Sequence, residues 1–260
     1  DLLPGFLGSD FLLILAMLLP FFALFGFITV YGFGVIYAEL KVSSFIQDKT
    51  GPMGQGYGFH AGKWGFLQPV ADGLHLFFKE DIIPATADRP LFILAPFLIF
   101  IGMFVGIIAI PFGEAIIISD MNIGIFYILG VGSLAVIALI LAGWSSNNKW
   151  ALYGGMRSAA QIISYEIPAG LSLIVVILLA SSLSMQEIIS YQSGGMFNWI
   201  IFDNPFMPIA FIIFFISALA ETNRTPFDLP ESESELVAGF VTEYSGARYA
   251  FFFLSEYVNM

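Results

Sequence analysis

Acidic side chains crowd one polar stretch of the chain, ETNRTPFDLPESESELVAGF. It holds five carboxylates and one cation, Arg224; the acids are Glu221, Asp228, Glu231, Glu233 and Glu235. Neighbouring acids repel one another, so some should keep a proton near neutral pH and the group should titrate together. Acids at a helix start are also favoured by the helix dipole, which accounts for part of the set. The residues alone indicate a segment that handles protons or binds a cation.

Further acids lie in or beside long apolar runs, where a charge at the bilayer centre costs about 2.5–3.5 kcal/mol. Glu166 and Glu221 stand at the ends of such runs, where water can also reach them. Glu256 stands well inside one, so we expect it to face a polar interior between helices. Arg157 and Gln161 share a helix face, whereas Glu166 points about 180° away from Arg157, so we expect no pair between Arg157 and Glu166.

The segment WGFLQPVADGLHLFFKED has helical periodicity. Its polar residues Gln68, Asp72, His75 and Lys79 recur at spacings that place them on one helix face. Pro69 suits the first turn of that helix. Two interpretations remain open: an amphipathic helix that lies on the membrane surface, or a polar face that lines a binding site.

Composition restricts the class of protein. The chain has 260 residues, of which 58% are hydrophobic and 11% charged, against about 25% charged in a soluble domain. The net charge of -11 argues against a basic surface for nucleic acid. The absence of cysteine excludes disulfides, thiolate nucleophiles and cysteine-ligated iron–sulfur clusters, and two histidines make a histidine-based metal or haem site improbable. We therefore predict an integral membrane protein without a metal of its own.

Apolar runs long enough to cross a bilayer recur along the chain. The sequence predicts an all-α, polytopic membrane helical bundle with five complete transmembrane helices and a sixth that begins near Leu236. The five complete runs cover about 11–37, 91–111, 123–143, 162–183 and 200–220. We predict one membrane domain over residues 1–260.

Lysine and arginine set the orientation of this bundle. All 9 of these cations follow the first, third or fifth predicted helix, or lie near the start of the sixth, and none follows the second or fourth. The large loops at about 38–90 and 221–236 are therefore expected to face the cytoplasm or the mitochondrial matrix.

Three blocks of the sequence carry a family resemblance. They are AETNRTPFDLPESESELVAGFVTEYSG (residues 220–246), GWSSNNKWALYGGMRSAAQIISYE (143–166) and GFLQPVADGLHLFFKED (65–81). Together they resemble the NuoH/NADH dehydrogenase subunit 1 family, the membrane subunit of respiratory complex I. That family has eight transmembrane helices, so the resemblance implies that the last two lie outside this chain.

The resemblance also implies site residues. The cytoplasmic loops of the family form part of a long quinone tunnel, and a buried carboxylate path leads from it towards the antiporter-like subunits. By motif position we assign to the quinone-tunnel region Asp72, Gln68, Lys49 (where the family has Arg), Asp228, Glu231, Glu233 and Glu235. We assign to the proton path Glu166, Glu221, Glu243, Glu256, Arg157 and Tyr165. No residue is predicted to be catalytic by itself.

A family member would work within a complex. The resemblance implies quinone as the substrate, of a type the sequence does not specify, and no metal or flavin on this chain. The implied partners are the hydrophilic subunit with the terminal iron–sulfur cluster, the 49-kDa-type quinone-site subunit, the small membrane subunits and lipids. The location would be the bacterial cytoplasmic membrane, which is slightly favoured, or the mitochondrial inner membrane.

Two other functions compete with a subunit of proton-translocating NADH:quinone oxidoreductase. One is the equivalent subunit of a membrane-bound hydrogenase or ferredoxin-dependent complex. The ETNRTPFDLPE form favours the respiratory branch. The other is a stand-alone ion or solute transporter, which predicts internal repeats with broken helices, and the sequence has no such self-similarity.

Overall fold

The computed structural model describes residues 3–49, 51–52, 65–113, 117–224, 226–229 and 233–259. Its regular elements within these ranges are helices. The chain divides into two compact units, residues 1–75 and 76–260. The prediction of an all-α, polytopic membrane bundle is confirmed, since four described helices are long and apolar enough to cross a membrane.

The first unit is built on a long helix, α1 (Leu3–Ile46). Its portion from Phe22 to Ile46 is long and apolar enough to span a bilayer. The helix continues well past the predicted end at residue 37, so the loop that follows is shorter than expected. The next helix, α2 (Gln68–Phe78), matches the predicted amphipathic helix and has Pro69 in its first turn.

Three long helices open the second unit: α3 (Arg89–Ile107), α4 (Gly124–Ser145) and α5 (Lys149–Ala180). The first two match the predicted spans within a few residues. The third begins at Lys149 rather than near residue 162, because Asn148 caps it. The side-chain oxygen of Asn148 accepts from the backbone N–H of Trp150 at 2.9 Å, which satisfies one of the unpaired donors at a helix start.

The predicted fifth span is interrupted. After α6 (Met185–Tyr191), the chain forms α7 (Ile200–Asp203) and then α8 (Met207–Glu221). The break falls at NPFMP, where two prolines lack a backbone donor and disfavour helix in the residue before them. With 15 residues, α8 is about 22 Å long, so it is shorter than a full crossing of about 30 Å.

The predicted start of the sixth helix near Leu236 is wrong. The chain instead forms α9 (Glu233–Leu236), a 3₁₀ turn from Gly239 to Val241, and then α10 (Gly246–Asn259). Val237 and Gly239 take φ values of 70° and 55°. These left-handed conformations end a right-handed helix, and such a φ is a genuine outlier for a β-branched valine.

Glycines let the helices of the second unit approach closely. A methyl group at Gly143 of α4 would lie 2.7 Å from the carbonyl oxygen of Ala151, and one at Gly155 of α5 would lie 2.9 Å from that of Leu139. Membrane helices pack through such small residues because lipid gives them little hydrophobic drive to associate. The principal core lies between α3, α4, α5, the 3₁₀ turn and α10, and it includes Phe92, Leu139, Ile162, Phe240 and Phe252.

Gly154 is the tightest contact between α5 and the 3₁₀ turn. A methyl group there would lie 2.6 Å from the Cα of Gly239. We expect Gly154→Ala to destabilise the subunit by about 1–3 kcal/mol through overpacking, and to lower its level in membranes. The matched control is Gly170→Ala in the same helix, since a methyl group at Gly170 meets nothing within 4 Å. Immunoblots of membranes should separate the two variants; equal levels would contradict this account of the packing.

The two ends of α5 should lie on opposite sides of the membrane. Its 32 residues span about 48 Å. Asn147 precedes α5, and Ser193 follows α6, the next helix along the chain. Both residues are exposed and suit cysteine substitution, because the chain has no cysteine of its own. We expect Asn147→Cys to react with an impermeant thiol reagent from the cytoplasmic or matrix side, and Ser193→Cys from the other. Labelling of both from one side would refute the orientation.

Candidate functional site

The first half of α5 contacts the acidic segment, here defined as residues 222–236, which follows Glu221 at the end of α8. Arg157 Nη1 donates to Glu235 Oε2 at 2.5 Å, and its guanidinium stacks over the Tyr153 ring with a centroid distance of 4.5 Å. One turn further on, Gln161 donates to the carbonyl oxygen of Phe227 at 2.8 Å. Polar residues at successive turns of one helix face therefore bind a segment that lies more than 60 residues away in sequence.

A second contact of α5 is aromatic. The rings of Tyr165 and Phe227 meet edge to face, with their centroids 5.1 Å apart. This arrangement suits the opposite partial charges of a ring edge and a ring face. Tyr165 therefore helps to fix the chain just before Asp228, whose side chain is exposed.

A cavity of about 80 Å³ lies between α3, α4, α5, α8 and α10. Two carboxylates and other polar side chains line part of it, among them Glu221, Asn223, Ser255, Glu256 and Asn259. One water needs about 10–15 Å³ of such volume, so the cavity has room for several. It therefore combines proton-binding groups with space for water.

Glu256 and Glu221 enter this cavity from different helices. Glu256, whose side chain is 18% exposed, pairs with Arg224 at an Nε to Oε1 distance of 3.5 Å. The Arg224 guanidinium also lies 4.9 Å from the centroid of the Tyr257 ring. A buried charge is costly without a partner, so Arg224 explains how Glu256 is accommodated.

Glu221 lies at the end of α8, where it is exposed, and Glu166 of α5 lies near it. The Oε1 atom of Glu221 also approaches α4, where a methyl group at Gly132 would lie 3.9 Å from it. Gly132 thus leaves room beside this carboxylate. Helices α4, α5 and α8 therefore meet around Glu221.

A second cluster joins the start of α10 to the ends of α3 and α4. The Tyr244 ring stacks on Phe92 with a centroid distance of 4.0 Å, and its hydroxyl lies 3.3 Å from Ser145 Oγ. Arg248 pairs with Asp81 at 3.2 Å. Burial raises the pKa of Tyr244 to about 12, against opposing effects of Ser145 and Arg248. The phenol is therefore neutral at physiological pH and acts as a packing and hydrogen-bonding group.

Comparison with known proteins decides the family. A family model described as NADH dehydrogenase matches residues 18–260. The chain belongs to the NADH dehydrogenase family. The resemblance seen in the three sequence blocks is thereby confirmed.

Family relatives cover most of this chain. The H subunit of the NADH-quinone oxidoreductase of Chlorobaculum tepidum is 48% identical over 258 residues, which is 98% of this chain and 69% of that protein. The protein of the same name from Geobacillus sp. is 52% identical over 239 residues, which is 92% and 67% of the two chains. The protein of the same name from Anaeromyxobacter dehalogenans is 52% identical over 225 residues, which is 86% of this chain and 53% of that protein.

The structure brings together several residues predicted for the proton path. Glu166 lies near Glu221, Glu221 and Glu256 line one cavity, and Tyr165 contacts the acidic segment. Arg157 turns towards Glu235, in agreement with the expectation that it does not pair with Glu166. Glu243 instead accepts from Asn148 Nδ2 at 2.6 Å, at the junction of α4 and α5. The proton-path role of these residues stays a prediction.

The residues predicted for the quinone region divide into three groups. In the first unit, Gln68 Nε2 donates to Asp72 Oδ1 at 2.7 Å within α2, and Lys49 Nζ donates to Gln47 Oε1 at 2.8 Å. In the second unit, Asp228 and Glu235 are exposed. Glu231 and the side chain of Glu233 lie outside the described residues.

Several contributors to the site were not among the predicted residues. Asn148, Ser145 and Arg248 all bind elements that are distant in sequence, and Gln161 was noted only for its helix face. An asparagine before a helix is a recognisable cap signal, but its second contact with Glu243 leaves no local pattern. Among the described residues, the structure shows no group of three or more His, Cys, Asp or Glu side chains that could hold a metal ion.

Tyr244 allows a test of packing against hydrogen bonding in this cluster. Tyr244→Phe keeps the stack on Phe92 and removes only a hydroxyl, so we expect a cost of about 1 kcal/mol or less. Tyr244→Ala removes the buried ring and should cost about 3–5 kcal/mol. The midpoint of thermal dissociation of the purified complex should fall slightly for the first variant and strongly for the second. Similar large losses for both would show that the hydroxyl dominates.

Proposed function

We propose that this chain is the membrane subunit of a proton-translocating NADH:quinone oxidoreductase, the complex that its relatives are named for. In that complex it would form part of the quinone tunnel and the start of the buried carboxylate path. The observation that carries this proposal is the cavity that Glu221 and Glu256 both line, beside the segment that α5 contacts.

The chemistry requires a proton response near the quinone. Reduction of a quinone to a quinol takes up two electrons and two protons. Charge that develops on the headgroup favours protonation of nearby acids, and interacting acids respond as a group. In our proposal the exposed acids of the acidic segment, Asp228 and Glu235, respond first. Arg157 stays charged, and its pair with Glu235 would weaken when Glu235 takes up a proton.

The response would then reach the membrane through Glu221. This residue ends α8, immediately before the segment that Gln161 and Tyr165 hold. Its interaction with Glu166 offers the next step, and the room beside Gly132 and in the cavity suits water between the carboxylates. The path thus uses proton-binding groups carried by different helices.

The quinone region would include α2. Its polar residues Gln68 and Asp72 bond to each other across one helical turn, which keeps the carboxylate on the polar face. Lys49, Glu231 and Glu233 belong to the same proposal. Their assignment to the tunnel depends on the motifs, as does the expectation that the tunnel is completed by the 49-kDa-type subunit and the hydrophilic iron–sulfur subunit.

The outer surface suits lipid and neighbouring membrane subunits. The central part of α8 presents six consecutive exposed residues with large apolar side chains, from Phe211 to Ile216. A surface of this kind is expected in the hydrocarbon layer or against another membrane helix. The named relatives are bacterial, so we place this multi-pass protein in a bacterial cytoplasmic membrane.

Neutralising the acids tests the proposed function. Asp228→Asn and Glu221→Gln keep the side-chain shape and remove the charge. We expect both complexes to assemble, while quinone reductase activity falls by about tenfold or more. Electron transfer from NADH to an artificial acceptor at the hydrophilic arm should stay normal, because it does not use this chain.

The matched control is Glu187→Gln. Glu187 is an exposed acid in the first turn of α6, beyond the far end of α5. This substitution should leave quinone reductase activity and artificial-acceptor activity unchanged. If Asp228→Asn and Glu221→Gln also retain native quinone reductase activity and proton pumping, the acids are structural and the proposal is wrong.

A further inference from the structure

Gln161 is buried against the end of α8 and the start of the acidic segment, with only 7% of it exposed. Its amide nitrogen Nε2 lies within hydrogen-bonding distance of three oxygens. They are the carbonyl oxygen of Ala220 at 2.9 Å, the carbonyl oxygen of Phe227 at 2.8 Å and Asn223 Oδ1 at 3.2 Å. One side chain of α5 therefore contacts three points of a segment about 60 residues away.

The orientation of this amide is determined by its partners. Two of the three acceptors are backbone carbonyls, which cannot donate, so only the NH₂ end of Gln161 can face them. The other end, Oε1, is buried without a hydrogen-bond partner among the described residues. Burying an unpaired acceptor is unfavourable, so the three contacts on the nitrogen are what hold the side chain in this position.

The three acceptors bracket the residues that the proposed function uses. Ala220 immediately precedes Glu221, and Phe227 immediately precedes Asp228. Between them, Asn223 takes a φ of 50°, a left-handed conformation that redirects the chain after α8. By binding both sides of this bend, Gln161 fixes the end of α8 relative to the start of the acidic segment.

We propose that Gln161 is a positioning residue, which holds Glu221 and the start of the acidic segment in the one arrangement that lets quinone chemistry act on the carboxylate path. This inference rests on the proposed function of the segment. Gln161 itself neither carries the proton nor contacts the quinone. Its contribution is to keep Glu221 and Asp228 at a constant separation.

Gln161→Met tests the contacts directly, because methionine has a similar length and no donor. In the purified complex, peptides within residues 222–229 should exchange amide hydrogen for deuterium about fivefold faster or more, since the bend loses its anchor. Quinone reductase activity, normalised to the artificial-acceptor activity, should fall by about fivefold or more. The matched control is Ser164→Ala in the same helix, because among the described residues the exposed Ser164 hydroxyl donates to the carbonyl oxygen of Ala160 within α5. It should change neither measurement.

Gln161→Glu adds a readout that a merely structural role would not change. A protonated carboxyl keeps one donor for the three acceptors, whereas a carboxylate has none and faces carbonyl oxygens. The ratio of variant to wild-type quinone reductase activity should therefore fall by about threefold or more between about pH 6 and about pH 8.5. Variant and wild type share the neighbouring charged and titratable groups, so taking the ratio removes the pH dependence that these groups cause. They are Arg157, Tyr165, Glu166, Glu221, Arg224 and Asp228.

The outcomes separate this inference from the proposed function. Unchanged deuterium exchange in Gln161→Met, or a pH-independent ratio in Gln161→Glu, overturns the role of Gln161 even if Glu221→Gln and Asp228→Asn are inactive. Faster exchange with full quinone reductase activity also overturns the role of Gln161, because the segment then moves without consequence, whereas the proposed function is decided by Glu221→Gln and Asp228→Asn. If neither variant assembles while Ser164→Ala does, Gln161 is required for folding, which overturns the positioning role.

Discussion

The close approach of α5 to its neighbours is the constraint on which the rest of the second unit depends. Gly143 and Gly155 bring α4 and α5 together, and Gly154 lets the turn at Gly239 pack on the same helix. Side chains could not fill these places, since an added methyl group at any of them would lie within 3 Å of backbone atoms. The polar face of the same helix, which carries Arg157 and Gln161, contacts the acidic segment.

The acids of the second unit differ in what surrounds them. Glu235 and Glu256 each face an arginine, whereas Glu243 faces the amide of Asn148. Glu221 faces a cavity, another carboxylate and the open side of a glycine. In the proposed path, Glu235 responds beside its arginine partner in the acidic segment, and Glu221 passes the response on beside the space for water.

Backbone contacts tie the segment before α3 to the rest of the second unit. Ser245 Oγ accepts from the backbone N–H of Ile82 at 3.0 Å, and the N–H of Asp88 donates to the carbonyl oxygen of Ser145 at 2.9 Å. A methyl group at Gly246 would lie 2.9 Å from the carbonyl oxygen of Lys79. The segment after α2 is thus fixed to the start of α10, the helix that carries Glu256.

The sequence by itself determined the helical class, most of the spans and the family. Helical hydrogen bonds are local and a bilayer demands a minimum apolar length, so α3 and α4 could be located from composition alone. The four-residue spacing of Gln68 and Asp72 likewise placed them on one face of α2, where they bond to each other. The motif blocks around the acidic segment indicated the family because many residues agreed at once.

Only the tertiary structure decided which side chains meet. Arg157 and Glu235 are 78 residues apart, and the acceptors of Gln161 lie 59 to 66 residues away from it. It also decided that the apolar stretch after Leu236 bends at Val237 rather than continuing as a helix, in a conformation that valine disfavours. These contacts and this bend depend on how closely the helices pack. Because residues of both helices set the space between them, neither local propensity nor periodicity predicts them.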